Sequence, residues 1–349
     1  MKQTNTISAI GLDIGTMNIV CSSSAGETKS IRNVFITLDE SLVSTSDLQE
    51  VSYIKDDEGN IFIVGQSAFT MANIFGKAVN RPMEKGLISP KEISSIDILG
   101  MMIKSIIDKD LEEKKVTCCY SVPAQAIDEG RSILYHQQVF ARILGSLKIK
   151  SSSVNEGMAI IFSETQEEKF SGIAISFGAG MTNVAVSWRG VEVATYSTVR
   201  GGDWIDLNVA NSLGTVPNRV TNVKEKYFDL NQSFIFEKDK KRRRILEALE
   251  YYYTSLIDYS VSSLAKQIEK SVDLDIAEAI PLILSGGTSL PNGFDTLFEQ
   301  QLRKYSLPLE ISSVRRAKNP LTAVASGLLV KALVDSKNTN RKNNNKEEE

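Results

Sequence analysis

The sequence predicts a mixed α/β protein built from two related lobes. Short apolar runs alternate with helical patterns along the 349 residues, an order that is typical of α/β folds. A strand, a glycine turn and a second strand occur at 10–22 and again at 173–187, with Asp13 and Ser176 at matching positions 163 residues apart. About half of the chain separates the two hairpins, as a duplicated lobe requires. Two unrelated β-hairpins are the alternative.

Apolar runs locate the predicted strands and one long helix. Strands are predicted at 7–14, 61–64, 116–122, 172–177, 184–188, 191–199 and 281–285. Apolar residues recur three and four positions apart from Ile245 to Ile268, which predicts a helix over 240–271 with one buried face. The segment 336–349 is almost wholly polar and charged, so we expect a disordered tail there.

Charge and histidine content exclude several functional classes. Lys and Arg number 40 against 43 Asp and Glu, a net charge of −3. The chain therefore lacks the overall positive field that a nucleic-acid binder needs, and no nucleic-acid partner is expected. The single histidine, His136, lies in a helical pattern, and we expect it to be a structural or surface residue. A histidine-rich metal site is excluded.

The cysteines and the lengths of the apolar runs indicate where in the cell the protein is expected. Cys21, Cys118 and Cys119 have no CxxC spacing, and the adjacent pair on one strand should point to opposite faces. We expect reduced, buried thiols and hence a cytoplasmic protein. No apolar run approaches the roughly 18 residues of a membrane span, and the first residues lack the apolar segment of a signal peptide.

Glycine turns in both hairpins suit phosphate binding. Glycine lets backbone N–H groups approach an anion closely, and the turns at 15–16 and 178–180 could grip a polyphosphate from both sides. Asp13 would repel phosphate, so we interpret it as a ligand, through water, of a bridging Mg²⁺. The chain has no GxxxxGK[ST] motif, and GAGMTN lacks the last glycine of the dinucleotide fingerprint.

A third glycine turn follows the predicted strand 281–285. Its residues Gly286 and Gly287 carry no side chains, which would leave a flat surface on which a purine could lie. An ordinary turn is the alternative.

Taken in order, these motifs resemble those of the actin-like ATPase superfamily. Residues 12–18 (LDIGTMN) and 178–186 (GAGMTNVAV) look like its two phosphate motifs, and 284–290 (LSGGTSL) like its adenosine motif. Three further stretches resemble sequences that are typical of MreB-type bacterial actins and their magnetosome relatives. They are 81–88 (RPMEKGLI), 199–206 (VRGGDWID) and 319–327 (NPLTAVASG). The resemblance covers about residues 7–335.

The resemblance implies an actin-like fold with two ribonuclease-H-like lobes that close on ATP and Mg²⁺. The first lobe is expected at 1–148, with an outer subdomain at about 33–75 and a return of 320–335 to this lobe. The second is expected at 149–319, with an outer subdomain at about 203–271. Nucleotide contacts are expected from Gly15, Thr16, Met17, Asn18, Gly178, Ala179, Gly180, Met181, Thr182, Gly201, Gly202, Lys224, Glu225, Gly286, Gly287 and Thr288.

The resemblance also implies the residues that carry hydrolysis. Glu156 matches the family position that orients the attacking water, and a carboxylate within reach of the γ-phosphate can also take the proton of that water. A solvated turn glutamate is the alternative. Asp13 is the second expected catalytic residue. Ser176 stands where the family ordinarily has an aspartate, and a hydroxyl is a poor ligand for a hard dication. Hydrolysis is therefore expected to be slow.

The function implied is a cytoskeletal ATPase that polymerises head-to-tail and positions cellular cargo. A nucleotide-gated binding module that does not polymerise is the main alternative. A sugar or acid kinase is disfavoured because 349 residues leave little room for a substrate-binding insertion. The basic run 238–244 is either a solvated face or a contact with an acidic partner or neighbouring subunit. The polar N-terminus and the loop 110–115 (DLEEKK) argue against direct membrane insertion.

Overall fold

A computed structural model describes residues 8–37, 51–56, 58–75, 78–89, 94–107, 116–270, 276 and 278–347, with side chains described as far as residue 338. The loop 110–115 and the first seven residues, which informed the membrane prediction, lie outside the described residues. Residues 38–50, which belong to the predicted outer subdomain at about 33–75, also lie outside the described residues.

Fifteen strands are present among the described residues. They are β1 (Ser8–Ile14), β2 (Asn18–Ser23), β3 (Thr28–Arg32), β4 (Phe35–Thr37), β5 (Tyr53–Lys55), β6 (Ile61–Val64), β7 (Met83–Glu84), β8 (Leu87–Ile88), β9 (Val116–Val122), β10 (Lys150–Asn155), β11 (Gly172–Phe177), β12 (Thr182–Trp188), β13 (Val191–Thr198), β14 (Ile280–Ser285) and β15 (Ile311–Arg316).

Nine α-helices lie between and after these strands in the described part of the chain. They are α1 (Gly65–Ile74), α2 (Ser95–Ile106), α3 (Leu134–Ser146), α4 (Glu156–Glu164), α5 (Gly202–Leu213), α6 (Pro217–Tyr227), α7 (Lys240–Lys270), α8 (Phe294–Leu302) and α9 (Ala323–Glu347). Short 3₁₀ turns occur at Phe234–Phe236 and Gly287–Ser289.

Two five-stranded sheets share one topology. Their strand orders are β10-β9-β1-β2-β3 and β13-β12-β11-β14-β15. In the first sheet β1, β2 and β3 pair antiparallel, and β9 and β10 add in parallel on the other side of β1. In the second sheet β11, β12 and β13 repeat the antiparallel meander, and β14 and β15 repeat the parallel pair. This confirms the predicted α/β fold with two related lobes.

Each lobe has its own apolar core. In the second lobe one face of α7 packs on the sheet through Leu249, Leu256 and Leu264, as its three- and four-residue spacing predicted. In the first lobe α2 and α3 pack on the sheet. A third cluster, between the two sheets, joins α4 to α9. A small three-stranded sheet, β4-β6-β5, stands apart with α1 at the outer end of the first lobe.

Two predicted boundaries differ from the structure. The first sheet extends to Asn155, beyond the predicted end of the first lobe at 148, because β10 pairs in parallel with β9. The chain also continues as helix to Glu347 where a disordered tail was predicted over 336–349. Once α9 is nucleated by its packed first half, each added residue gains a backbone hydrogen bond, so the helix can propagate through a polar sequence.

The prediction of reduced, buried cysteine thiols is confirmed. All three cysteines are free and buried. Cys118 packs into the core of the first lobe, whereas its neighbour Cys119 packs into the cluster between the sheets. The alternation of side chains along β9 therefore sends the two thiols to opposite faces.

His136 is a buried residue of α3. Its ring lies edge-on to Phe140, with centroids 4.6 Å apart, and its Nδ1 has no partner among the described residues. Burial lowers the pKa of His136 from 6.5 to about 4. The imidazole is therefore neutral in the folded protein. The stability that depends on the neutral ring is fully present above pH 6.5 and is lost as the pH falls towards 4.

We predict that His136→Leu flattens the acid limb of the stability profile. Between the ordinary histidine pKa and the lowered value, the parent should lose on the order of 3 kcal/mol of unfolding free energy that the variant keeps. Urea unfolding over a series of pH values measures this. Tyr135→Leu, at the exposed neighbouring position, is the control and should follow the parent. Identical acid limbs for His136→Leu and the parent would contradict the prediction.

Candidate functional site

A cleft between the lobes forms a cavity of about 440 Å³. It is lined by both hairpin turns, by the carboxyl groups of Asp13 and Glu156, and by the glycine turn after β14. The predicted nucleotide contacts that line it are Gly15, Thr16, Met17, Asn18, Gly178, Ala179, Gly180, Met181, Gly202, Lys224, Glu225, Gly286, Gly287 and Thr288. Thr182 and Gly201 are not part of the lining.

The two hairpin turns have the same geometry. Gly15 N donates to Asn18 O at 3.0 Å, and Gly178 N donates to Met181 O at 3.0 Å. The offset of 163 residues therefore holds without a gap through both turns. In the sheet registers Asp13 pairs with Val20 and Ser176 with Asn183, so Asn183 is the counterpart of Val20.

The two turns touch across the cleft. A Cβ atom on Gly180 would lie 2.3 Å from the Thr16 Oγ1 atom and 2.4 Å from the Gly86 nitrogen. The Gly86 N–H also donates to Thr16 Oγ1 at 3.1 Å. Because Gly180 belongs to the second lobe and Thr16 to the first, this contact needs a residue without a side chain.

Backbone amides of both turns are left available. Within the described residues, the N–H groups of Thr16, Met17, Ala179 and Gly180 donate to no backbone or side-chain acceptor. Unused amides on two facing turns form the kind of concave donor set that binds anions.

The second turn is fixed from behind by α5 and by the 3₁₀ turn. Gly202 N donates to Gly178 O at 3.0 Å, and Asp203 N donates to Ala179 O at 2.8 Å. Thr288 Oγ1 donates to Gly178 O at 3.0 Å. Gly202 and Thr288, predicted as nucleotide contacts, thus also position the turn. Gly201 acts through packing, since a Cβ there would lie 2.5 Å from Ala179 O.

Two half-buried carboxyl groups lie at the floor of the cleft. Ser121 Oγ donates to Asp13 Oδ1 at 2.9 Å, and burial raises the pKa of Asp13. Glu156 is the first residue of α4, whose N-terminus is capped by the Asn155 side chain. Burial, and next the nearby charge of Asp13, raise the pKa of Glu156. The two carboxyl groups therefore repel each other when both are ionised, and a cation beside them would relieve that repulsion.

Ser176 holds Glu156 in place. Its Oγ donates to Glu156 Oε2 at 3.3 Å, and Asn183 also hydrogen-bonds the Glu156 carboxyl group. The Asn183 Oδ1 atom accepts from Ala124 N at 3.2 Å and from Ser197 Oγ. An aspartate at position 176 would bring a third carboxyl group against Glu156, and a hydroxyl group avoids that repulsion.

The turn after β14 lines the opposite end of the cleft. Gly286 has a φ of 90°, and a Cβ there would lie 2.3 Å from Phe177 O, so both backbone conformation and space require glycine. A Cβ on Gly287 would meet Leu321 Cδ2 at 3.5 Å. Leu321 and Pro320 also line the cavity, which gives this end an apolar wall.

Lys224 and Glu225 line the cleft but are already paired. Lys224 Nζ lies 2.7 Å from the buried carboxylate of Asp206, which also accepts from Thr221 Oγ1 at 2.5 Å. Glu225 forms an ion pair with Arg32 of the first lobe. The sequence reasoning missed Asp206 and Arg32, since neither lies in a glycine turn.

Polar contacts hold the outer part of the cleft closed. Besides the pair of Arg32 and Glu225, Arg81 Nη1 lies 2.5 Å from Asp203 Oδ1, and Asn218 Nδ2 donates to Asn73 Oδ1 at 3.3 Å. All three join the first lobe to the second. Arg81 and Asp203 both fall in the stretches that resemble MreB-type proteins, but sequence alone gave no sign that they pair.

The basic run 238–244 is partly neutralised within the chain. Arg242 Nε lies 2.8 Å from Glu237, and Arg243 Nε lies 2.9 Å from Glu247. Asp239 accepts from the amides of Lys241 and Arg242 and so caps the N-terminus of α7. These internal pairs occupy Arg242 and Arg243, and the prediction of a separate acidic partner gains no support.

A comparison with protein-family models matches residues 8–332 to the model named Volactin. The chain belongs to the Volactin family. The match spans both lobes and all of the cleft described above. No curated protein matches the chain at a significant level.

Solved structures share the fold of this Volactin-family chain. One is described as a MamK double helical filament, with a TM-score of 0.68 and 15% identity over 94% of this chain and 99% of that one. Another is MreB5 of Spiroplasma citri bound to ADP, with a TM-score of 0.67 and 15% identity over 96% of this chain and 99% of that one. These likenesses confirm the actin-like two-lobed fold that the motifs suggested.

None of the helices in the described ranges combines the length and the apolar character needed to span a bilayer.

We predict that Gly180→Ala forces the two turns apart. The added Cβ would meet Thr16 and the Gly86 backbone, so the variant should lose about 1–3 kcal/mol of stability, the usual cost of overpacking. Urea unfolding measures the loss, and hydrogen exchange should show faster exchange of the Gly86 amide. Gly145→Ala is the control, because a Cβ in that part of α3 meets nothing within 4 Å and alanine favours a helix. An unchanged stability for Gly180→Ala would show that the turns separate freely.

Proposed function

We propose that this chain binds ATP with Mg²⁺ in the interlobe cleft, hydrolyses it slowly and assembles into filaments. One observation carries the proposal: two hairpin turns of equal geometry face each other with unused backbone amides above two half-buried carboxyl groups. Amide nests suit phosphate, and carboxyl groups suit a cation that bridges to it. The apolar wall of Gly287 and Leu321 suits the nucleoside.

The residues present fit a magnesium ion only if phosphate shares in holding it. Among the described residues, no group of three His, Cys, Asp or Glu side chains could enclose a metal by itself. Asp13, held by Ser121, would bind the ion through water. The ion supplies neutralisation of phosphate charge, and Asp13 sets its place in the cleft.

Glu156 is the proposed base for hydrolysis. Its carboxyl group lies in the cleft, aligned by Ser176 and Asn183, and its raised pKa makes the ionised form a stronger base for taking a proton from water. Because α4 begins at Glu156 and packs between the sheets, the carboxyl group is held by the framework of both lobes. The slow rate follows from Ser176, which offers no charge to hold a metal water shell.

Assembly is proposed from the likeness of the fold. The MamK structure is described as a double helical filament, and a second one as a non-polymerising mutant bound to AMPPNP, with a TM-score of 0.57 and 16% identity. Head-to-tail contacts need not close on themselves and so can generate fibres. Positioning of cargo would be the use of such a filament, in a cytoplasmic protein.

A nucleotide-gated module that does not polymerise is the second candidate. The ion pairs Arg32–Glu225 and Arg81–Asp203 span the cleft and could serve opening and closing alone. Electron microscopy of the purified chain with ATP and Mg²⁺, with ADP and Mg²⁺, and without nucleotide separates the two. Filaments with ATP support the first candidate, and single particles under all conditions support the second.

We predict that Asp13→Asn loses Mg²⁺-dependent nucleotide affinity. Removing the charge that holds the metal should weaken ATP binding in Mg²⁺ by about tenfold or more, while the neutral amide preserves the size of the side chain. Calorimetric titration with and without Mg²⁺ measures this. Asp97→Asn, at an exposed position of α2, is the control. Equal affinities for parent and Asp13→Asn would remove the metal role.

We predict that Glu156→Gln slows phosphate release by about a hundredfold, the scale of general-base catalysis, with ATP affinity kept. Any filaments should then persist longer, because hydrolysis limits their lifetime. A phosphate-release assay and sedimentation measure both effects. Glu167→Gln, exposed beyond α4, is the matched control. Equal release rates for Glu156→Gln and the parent would exclude Glu156 from the reaction.

A further inference from the structure

The outward face of α7 forms a regular seam. Its members recur four and three residues apart, as on one stripe of a helix. They are Lys240, Arg244, Glu247, Tyr251, Thr254 and Asp258. The opposite face of the helix is buried in the core of the second lobe. Tyr251, near the middle of the seam, is 70% exposed, so its ring and hydroxyl group are accessible to a partner.

Charge changes sign along the seam. Its first part carries Lys240 and Arg244, for which no ion pair exists among the described residues. Its second part borders a groove of about 510 Å³ that contains Glu247, Glu250 and Asp258. The cations that face these acids are Arg243, which pairs with Glu247, and Lys304 of the segment after α8, which donates to Gln301. The seam thus has a basic end and an acidic end.

We propose that this seam binds the same seam of a second copy of the chain, with the two α7 helices antiparallel. Turning the seam end for end about its middle places Lys240 opposite Asp258 and Arg244 opposite Thr254. The same operation places Glu247 opposite Tyr251, whose hydroxyl group can donate to the carboxylate. Every position finds a complementary partner, and twofold symmetry makes each contact twice.

A second copy fits this face better than other partners do. An anionic membrane would attract the basic end but would be repelled by the acidic end, and a basic peptide would meet the reverse difficulty. The seam spans about 27 Å along the helix axis, and Tyr251 is its only large apolar member. The pairing is therefore weak and salt-sensitive, and it is suited to repetition along an assembly. It does not involve the cleft, so it can fail or succeed independently of nucleotide binding.

A charge swap tests the register. Lys240→Glu places a second carboxylate opposite that of Asp258, and Asp258→Lys places a second ammonium group opposite that of Lys240. Each variant alone should weaken self-association about tenfold in sedimentation equilibrium at low salt without nucleotide. The double variant should restore the parent affinity. A mixture of the two single variants should also associate, because each then supplies the charge that the other lacks.

A second pair and a matched control complete the test. Asp258 accepts from Tyr305, so Arg244→Glu with Thr254→Lys repeats the swap at positions free of that bond. Lys266→Glu makes the same charge change on α7 outside the seam and should leave association unchanged. Single variants as strong as the parent, or singles that do not associate when mixed, overturn the proposal. Binding of the parent to anionic vesicles that is lost in Lys240→Glu, without self-association, also overturns it.

Discussion

The relative position of the two lobes depends on backbone packing at three glycines between the sheets. A Cβ on Gly327 of α9 would lie 1.7 Å from Ala159 O of α4, and one on Gly11 of β1 would lie 2.1 Å from Ala325 O. On the other side of α4, a Cβ on Gly157 would lie 2.7 Å from the Ala185 Cβ. Helix α9 therefore rests directly on the first sheet and on α4, and α4 rests on the second. Close packing of this kind transmits small displacements, so the width of the cleft follows from these contacts.

The same packing buries the two carboxyl groups of the cleft. Asp13 is the second-to-last residue of β1, the strand that α9 covers, and Glu156 begins α4, whose next residue is Gly157. Both groups lie next to the close packing between the lobes, and burial raises both pKa values. Burying unpaired acids costs stability. A bound ligand that carries a cation would offset this loss of stability, and such an arrangement is common at functional sites.

The sequence predicted the parts of the site that backbone chemistry dictates. The two turns that need glycine, and the carboxyl group of Asp13 just before the first of them, are visible as local patterns. The pairs Arg32–Glu225 and Lys224–Asp206 could not be predicted, since the first joins the two lobes and the second joins two helices of the second lobe, and only tertiary packing brings these elements together. The last part of α9 stands where a disordered tail was predicted. It depends on a helix nucleus that packing of the first half of α9 creates, and amino-acid composition carries no information about that packing.

The duplication also explains what Ser176 does. Asp13 and Ser176 end equivalent strands, and each lies beside a serine on the neighbouring parallel strand, Ser121 or Ser285. In the first lobe that serine donates to the Asp13 carboxyl group. In the second, the Ser285 hydroxyl donates instead to Pro320 O, and Ser176 donates to Glu156. The first lobe thus supplies its acid from the strand, and the second from the helix α4. Two carboxyl groups repel each other less than three would, so one strand-end acid could be lost without removing the negative charge that a cation needs.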